Sequence, residues 1–169
     1  VQTAYGRSKQ EGERMLADSG LDVVVVRPCH VYGAGGWFAE EIVARLRRPG
    51  RFAVVGRGDN QWDMVHVDDL AVALALAVEA GRPGEVYHCA DDVPTTYAQA
   101  AGRAAAALGV GAPRHIPAAV ARLVAGSGPI ITVTRSARTS NAKLKRDLGW
   151  TPRYPDSAAG IPAVVAQLG

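Results

Sequence analysis

Four consecutive valines at positions 23–26 constrain the fold more than any other feature of the chain. The run "LDVVVVRP" is short, rich in β-branched residues, apolar at successive positions and closed by Pro28. A strand with alternating faces would show an apolar–polar alternation, whereas a run that is apolar on both faces indicates a buried strand of a parallel sheet. We therefore expect a parallel sheet in this chain.

Helical patterns separate the predicted strands. Residues 5–19 predict a helix that ends at Ser19-Gly20, and further helices are predicted in "FAEEIVARLRR", "VHVDDLAVALALAVEAG" and "TYAQAAGRAAAALG". Asp68 or Asp69 is expected to cap the third of these. Strands are predicted in "RFAVVGRGDN" and "GEVYHCA", and "VYGAGGWF" is predicted to be a glycine-rich loop. The alternation of strands and helices indicates an α/β fold built from parallel βαβ units.

Composition and charge exclude several classes of protein. The 169 residues suffice for one domain, with 48% hydrophobic and 21% charged residues and a net charge of +3. The basic residues are scattered, which argues against nucleic acid as a partner. No apolar run approaches the length of a membrane span, and the polar start predicts no signal peptide. Cys29 and Cys89 lie in apolar runs without metal-ligand spacing, so we expect free thiols, no metal and a cytoplasmic location.

Tyr5 and Lys9 stand four residues apart in "YGRSK" and would share one face of the first helix. An ammonium near a phenol favours the phenolate and lowers the phenol pKa from its usual value of about 10. Such a phenol can exchange a proton with a substrate hydroxyl or ketone. The spacing alone is equally compatible with an ordinary surface pair.

Five segments in order extend this pattern over nearly the whole chain: "YGRSKQEGE", "VVVVRPCHVYGAG", "MVHVDDLAVALALA", "EVYHCA" and "LGWTPRYP". Together they resemble the extended short-chain dehydrogenase/reductase family, the NAD-dependent epimerase/dehydratase group. The resemblance implies NAD or NADP as cofactor, Tyr5 as general acid/base, and Lys9 as the residue that holds the nicotinamide ribose and lowers the Tyr5 pKa. It also implies that Pro28, Cys29 and Val31 pack on the nicotinamide, at the carboxyl edge of the valine strand. A tight strand-to-loop turn without a ligand is the alternative for that segment.

Two positions depart from the family pattern. His30 stands where relatives that act on nucleotide-diphosphate sugars often have asparagine, and Trp62 stands where they often have an arginine before the aspartate. An indole cannot replace the fork of donors that pairs with a diphosphate. We expect His30 and Trp62 to bind a smaller or more apolar substrate, sugar-like or a small hydroxy or keto compound. Simple packing of Trp62, and a hydrogen bond from His30 to a loop carbonyl, are the alternatives.

No glycine-rich dinucleotide loop is present, because Gly33, Gly35 and Gly36 follow a strand without the remaining pattern. We therefore expect the C-terminal half of a doubly wound, Rossmann-like parallel-sheet domain with a small, mostly helical substrate lobe. Residues 1–109 would belong to the sheet domain with interleaved lobe segments, and residues 110–169 mainly to the lobe. Such a fragment would expose an unpaired sheet edge and be inactive alone. The alternative is a non-catalytic binding or regulatory module that needs a complementing partner chain; a homodimer is also possible.

Overall fold

A computed structural model describes residues 3–169. The strands are β1 Val25–Pro28, β2 His30–Tyr32, β3 Ala53–Val55, β4 Met64–His66, β5 Val86–Cys89 and β6 Arg114–Ile116. The helices are α1 Ala4–Ala17, a π-helical segment Phe38–Val43 that continues into α2 Ala44–Leu46, α3 Val67–Ala80, α4 Tyr97–Ala107, α5 Ala118–Ala125, α6 Ser127–Thr134, α7 Ala142–Leu148 and α8 Ser157–Gln167.

The strands form three parallel pairs. β1 pairs with β5, with Val25 opposite Val86 and Pro28 opposite Cys89. β2 pairs with β4, and β3 pairs with β6. The prediction of an α/β fold with parallel strand pairing is confirmed.

Three short strands escaped the sequence analysis. β2 lies partly inside the segment predicted to be a glycine-rich loop, β4 directly precedes α3, and β6 lies in the C-terminal third, where no strand was expected. Each has only three residues, which is too few to show a period of two. Their pairing partners are distant in sequence, so only the tertiary structure defines them as strands.

Two large hydrophobic clusters, and a smaller one of Val55, Ala121 and Ile130, hold the elements together. The larger one joins β2, β3 and β4 to the π-helical segment, α4 and α8, and its bulkiest members are Tyr32, Phe38, Trp62, Met64, Tyr97 and Ile161. The second joins β4, β5, α3 and α7, and contains Val65, Tyr87, Cys89, Leu144, Leu148 and Trp150. Because α7 and α8 contribute to these clusters, the C-terminal segment packs directly against the strands.

The start of α3 differs from the prediction that an aspartate caps it. The cap residue is His66, whose Nδ1 accepts a hydrogen bond from the backbone N–H of Asp68 at 3.2 Å. Asp69 is buried and accepts instead from the backbone N–H groups of Arg153 and Tyr154, at 2.7 and 2.9 Å. A buried carboxylate needs hydrogen-bond donors, and these two amides supply them. The Asp69 carboxylate therefore holds the C-terminal segment against α3.

One side of the molecule is open. Among the described residues β1 pairs only with β5, so Val25 and Val26 are half-buried and the expected burial on both faces is not reached. α1 buries none of its residues, and Leu21 and Val78 are 68% and 87% exposed. This part of the chain therefore presents an unpaired strand edge beside exposed apolar side chains. No helix in residues 3–169 is both long and apolar enough to cross a membrane.

Candidate active site

Tyr5 and Lys9 lie one turn apart on the exposed face of α1. Thr3 starts this helix, since its hydroxyl accepts from the Gly6 N–H at 3.1 Å. Tyr5 is 73% exposed, and the Lys9 ammonium lies 5.4 Å from the centre of its ring. The phenol and the ammonium are thus both accessible to a ligand, with the cation next to the ring.

An ion pair joins α1 to β1. Arg27 Nε donates to a carboxylate oxygen of Glu13 at 2.9 Å, and this hydrogen bond lowers the pKa of Glu13. Tyr5 precedes Glu13 by eight residues, which corresponds to about 12 Å along the helix axis towards its N-terminus. Arg27 is next to Pro28, the last residue of β1. The pair therefore joins the C-terminal half of the helix that carries Tyr5 to the carboxyl-terminal end of β1.

The segment from Pro28 to Val31 crosses between two strand pairs at that same end. Pro28 is exposed, the Cys29 N–H donates to the Cys89 carbonyl at 3.0 Å, and the His30 N–H donates to the Asp63 carbonyl at 3.1 Å. Val31 then pairs with Val65 in the next sheet. Backbone hydrogen bonds at both ends hold this crossing segment rigidly, and carboxyl ends of parallel strands are where α/β proteins place ligands.

The Cys29 side chain is suited to packing and not to nucleophilic chemistry. Burial raises its pKa to about 11, partly offset by a side-chain hydrogen bond with Thr139. The group is therefore a neutral thiol at neutral pH, whereas a nucleophilic cysteine needs the thiolate.

His30 forms a ring stack with Trp62. The two ring centres are 4.1 Å apart and the planes differ by 28°. The His30 Nδ1 lies 3.1 Å from the Asp63 carbonyl oxygen; because a carbonyl only accepts, Nδ1 carries the proton in the tautomer that makes this bond. Burial lowers the pKa of His30, so the ring is neutral at pH 7.

Trp62 is 3% exposed and sits beneath His30. Trp37 and Tyr97 meet it edge-on, with ring centres at 5.2 and 4.8 Å. Its Nε1–H makes no hydrogen bond among the described residues. Trp62 therefore packs inside an aromatic cluster, as its alternative interpretation predicts. His30 likewise makes the hydrogen bond to a carbonyl that was its alternative.

The two groups of predicted site residues remain separate. Tyr5 and Lys9 contact each other, and His30 and Trp62 contact each other, but no ring contact, hydrogen bond or ion pair joins the groups within residues 3–169. Sequence analysis did not identify Trp37, which supports the aromatic stack; an indole within a glycine-rich loop was the only signal for it.

A buried polar cluster near β2 and β4 was also missed. The Tyr32 hydroxyl donates to Asp91 Oδ2 at 3.3 Å, and the Tyr32 ring packs edge-on against His66. Burial raises the pKa of Asp91 to about 8, so this carboxyl is largely protonated at neutral pH. Asp91 Oδ1 and His66 Nε2 are buried without a hydrogen-bond partner among the described residues. Nothing local distinguishes Asp91 from its exposed neighbour in "ADD".

Comparison with known proteins shows which family the sequence of this chain matches. Residues 1–90 match the model of the NAD dependent epimerase/dehydratase family. A "3-diazoavenalumate denitrifying reductase" from Streptomyces sp is 32% identical over 156 residues, which cover 92% of this chain and 51% of that protein.

Solved structures of related proteins also superpose on this chain. A human epimerase family protein solved with NADPH superposes with a TM-score of 0.76 at 27% identity, over 86% of this chain and 48% of that one. The dTDP-glucose 4,6-dehydratase DesIV from Streptomyces venezuelae, solved with NAD and TYD, superposes with a TM-score of 0.70 at 26% identity, over 90% and 45% of the two chains. The chain spans about half the length of these relatives. The family model, which covers more than half of the chain, and the 32% identical relative show that the chain belongs to the NAD dependent epimerase/dehydratase family.

Proposed function

We propose that these residues form the catalytic and substrate-binding half of an NAD(P)-dependent epimerase, dehydratase or reductase. The observation that carries this proposal is the exposed Tyr5–Lys9 pair on α1, the helix that the Glu13–Arg27 ion pair joins to the end of β1. Tyr5 exchanges the proton of a substrate hydroxyl or carbonyl group. The Lys9 ammonium, 5.4 Å from the centre of the Tyr5 ring, places a positive charge beside that exchange.

The residues present fit the nicotinamide end of NAD or NADP. Lys9 offers ammonium donors for ribose hydroxyls, and the exposed Pro28 begins a rigid crossing segment against which a flat ring can pack. We assign Tyr5, Lys9, Pro28, Cys29 and Val31 to this contact. The bound cofactor supplies or accepts the hydride, and the protein positions it. The two related structures solved with NADPH and with NAD support this assignment.

We propose a small-molecule substrate that does not depend on a diphosphate group. Trp62 occupies the position where relatives that act on nucleotide-diphosphate sugars often have an arginine, and it is buried under His30 instead of offering donors. The 32% identical relative is named a reductase of 3-diazoavenalumate, which supports a substrate other than a nucleotide sugar. His30 is the substrate-facing residue in this proposal, with Trp62 as its support.

A further stretch of polypeptide with the glycine-rich loop completes the site in this proposal. The one-sided pairing of β1 and the exposed Leu21 and Val78 are the surface that such a stretch would cover. Whether that stretch is continuous with these residues or belongs to a partner chain, the 169 residues alone should transfer no hydride. A second copy of the chain is the third possible cover, which sedimentation of the purified chain would reveal.

The test is hydride transfer by the complete enzyme, followed with NADPH or NADH deuterated at C4. Tyr5→Phe should lower kcat by at least ~100-fold while the affinity for the cofactor stays nearly unchanged, because removing a general acid/base costs about two to four orders of magnitude. Tyr154→Phe removes a half-buried hydroxyl elsewhere in the chain and is the matched control. Turnover that survives Tyr5→Phe would show that Tyr5 is not the acid/base, and deuterium transfer by the 169-residue chain alone would contradict the need for a second half.

A further inference from the structure

A cavity of about 330 Å³ lies where β3 and β6 begin. One wall is the turn that joins α2 to β3, and the other is the turn that joins α4 to β6. The pairing of Ala53 with Arg114, the first residues of the two strands, holds these turns side by side. The volume lies at the lower end of the range of about 300–1,000 Å³ that is typical of small-molecule sites.

Backbone hydrogen bonds define both walls of this cavity. The Arg51 N–H donates to the Arg48 carbonyl at 3.1 Å, and the Val110 N–H donates to the Ala105 carbonyl at 3.0 Å. Gly50, in the first turn, has a φ of 72°, a conformation that glycine adopts without strain. The two turns are therefore parts of the fold that shape the cavity through their own backbone.

The charged part of the lining is entirely basic. Arg47, Arg48 and Arg114 line the cavity, and no acidic residue of the described chain does. Arg47 Nη2 donates to the carbonyl oxygens of Leu168 and Gly169, at 3.2 and 2.6 Å, and so connects this wall to the segment after α8. Arg48 and Arg114 are exposed, and neither side chain makes an ion pair or a hydrogen bond within residues 3–169. These two guanidinium groups are therefore available to an anion.

The remaining side chains of the lining are largely apolar. Phe52 and Pro113 are half-buried, Leu46 is buried, and Val110 is exposed at the rim. An apolar group that packs here is removed from water, and a guanidinium beside it can form paired hydrogen bonds to an oxyanion. This combination is suited to a ligand that carries both an apolar group and an anionic one.

We propose that this cavity is a second binding site, which takes a small organic phosphate with an apolar group. The phosphate pairs with Arg48 and Arg114, and the apolar group packs on Phe52. A phosphate monoester carries close to two negative charges at neutral pH, which match the two available guanidinium groups. None of the residues assigned above to the cofactor or the substrate lines this cavity, so the site is separate from the candidate active site. Binding here requires neither Tyr5 nor a cofactor and does not depend on the proposed function.

Calorimetric titration of the 169-residue chain tests this with four probes: phenyl phosphate, inorganic phosphate, benzoate and phenol. We expect phenyl phosphate to bind about tenfold more tightly than inorganic phosphate, which lacks the apolar group, and about tenfold more tightly than benzoate, which lacks the second charge. Phenol, which has no charge, should show no measurable binding.

Variants of the lining assign the binding to this cavity. Arg48→Gln and Arg114→Gln should each weaken phenyl phosphate about tenfold, because each removes one charge-assisted contact. Phe52→Leu should reduce the advantage of phenyl phosphate over inorganic phosphate and leave the affinity for inorganic phosphate unchanged. Arg82→Gln, at an exposed arginine outside the cavity, is the matched control and should change neither affinity.

Several results would overturn the inference. Equal affinities for phenyl phosphate and inorganic phosphate, benzoate binding as tight as that of phenyl phosphate, or no binding of phenyl phosphate by the wild-type chain would each do so. An unchanged affinity in both Arg48→Gln and Arg114→Gln would also do so, as would an equal loss in Arg82→Gln, which would indicate general attraction to a chain of net charge +3. Circular dichroism checks that the variants remain folded, as expected for substitutions at exposed arginines. Turnover that survives Tyr5→Phe in the complete enzyme would refute the proposed chemistry alone and leave these titrations unaffected.

Discussion

Replacing Asp91 with asparagine measures what it costs to bury this carboxyl. The side chain is 8% exposed and lies among Tyr32, His66, Asp69 and Asp156, which belong to four different elements or their flanks. Burial raises its pKa from 3.8 to about 8, and the charges of Asp69 and Asp156 add to the increase, whereas hydrogen bonds from Tyr32 and the His66 backbone oppose it. The folded chain therefore holds a proton on Asp91 that the unfolded chain releases.

The sign of the pH dependence follows from this difference in bound protons. Between about pH 4 and about pH 8 the folded state binds more protons than the unfolded state, so the free energy of unfolding falls as the pH rises. The full slope is about 1.4 kcal/mol per pH unit, which amounts to roughly 3 kcal/mol between about pH 5 and about pH 7. The contribution levels off above about pH 8, where Asp91 is ionised in both states. Asparagine carries no such proton, so its constant cost of an unpaired amide does not change with pH.

Urea denaturation followed by circular dichroism gives the relevant quantity. The free energy of unfolding of Asp91→Asn minus that of the wild type should rise by roughly 3 kcal/mol from about pH 5 to about pH 7 and level off only above about pH 8. Asp22→Asn, at an exposed position, corrects for the loss of one surface carboxylate. A difference between Asp91→Asn and the wild type that stays constant over this range would refute the claim that Asp91 is buried as a neutral acid.

Three further changes test the packing around the site. Thr96→Ala removes the capping box with Gln99 at the start of α4 and should cost about 1 kcal/mol of unfolding free energy in urea titrations, whereas Thr96→Ser should retain it. Gly160→Ala should destabilise the chain by about 1–3 kcal/mol, because the new methyl would lie 2.0 Å from the buried Tyr32 hydroxyl oxygen, and Tyr32→Phe in the same chain should relieve part of the loss. Alkylation of Cys29 by iodoacetamide, followed by mass spectrometry, should accelerate about tenfold per pH unit up to a pKa of about 11, and a plateau below about pH 9 would contradict its burial.

Local sequence patterns were sufficient to predict the helices and strands whose boundaries depend on nearby residues. The valine run, the glycine after α3 and the threonines before α4 each stand at or next to an observed boundary, because strand burial, helix termination and capping depend on nearby residues. β2, β4 and β6 form only by pairing with strands far along the chain, and so no local sequence pattern predicted them. The aspartates of "VDDL" illustrate the same limit, since tertiary hydrogen bonds to Arg153 and Tyr154 decide what Asp69 does.

The residues of the candidate site also differ in whether local sequence patterns could predict their contacts. Tyr5 and Lys9 could be found from helical spacing, which guarantees that residues four apart share a face. The stack of His30 on Trp62 could not, because the two residues lie on different segments and meet only through β2 and the approach to β4. Asp91 looks like a solvated residue in "ADD", and only its position under Tyr32 makes it a buried acid.

The stack joins His30 and Trp62 into one packing unit, although they were identified as two separate departures from the family pattern. Restoring an arginine at position 62 alone would place a guanidinium at a site that is 3% exposed, against the face of a neutral imidazole and between Trp37 and Tyr97. A buried charge without a partner costs several kcal/mol, so the arginine would destabilise the fold or leave the site, and neither result places its donors towards a diphosphate. Under the proposed function, a change to a nucleotide-sugar substrate would therefore require replacement of the stack as a whole, and not of Trp62 alone.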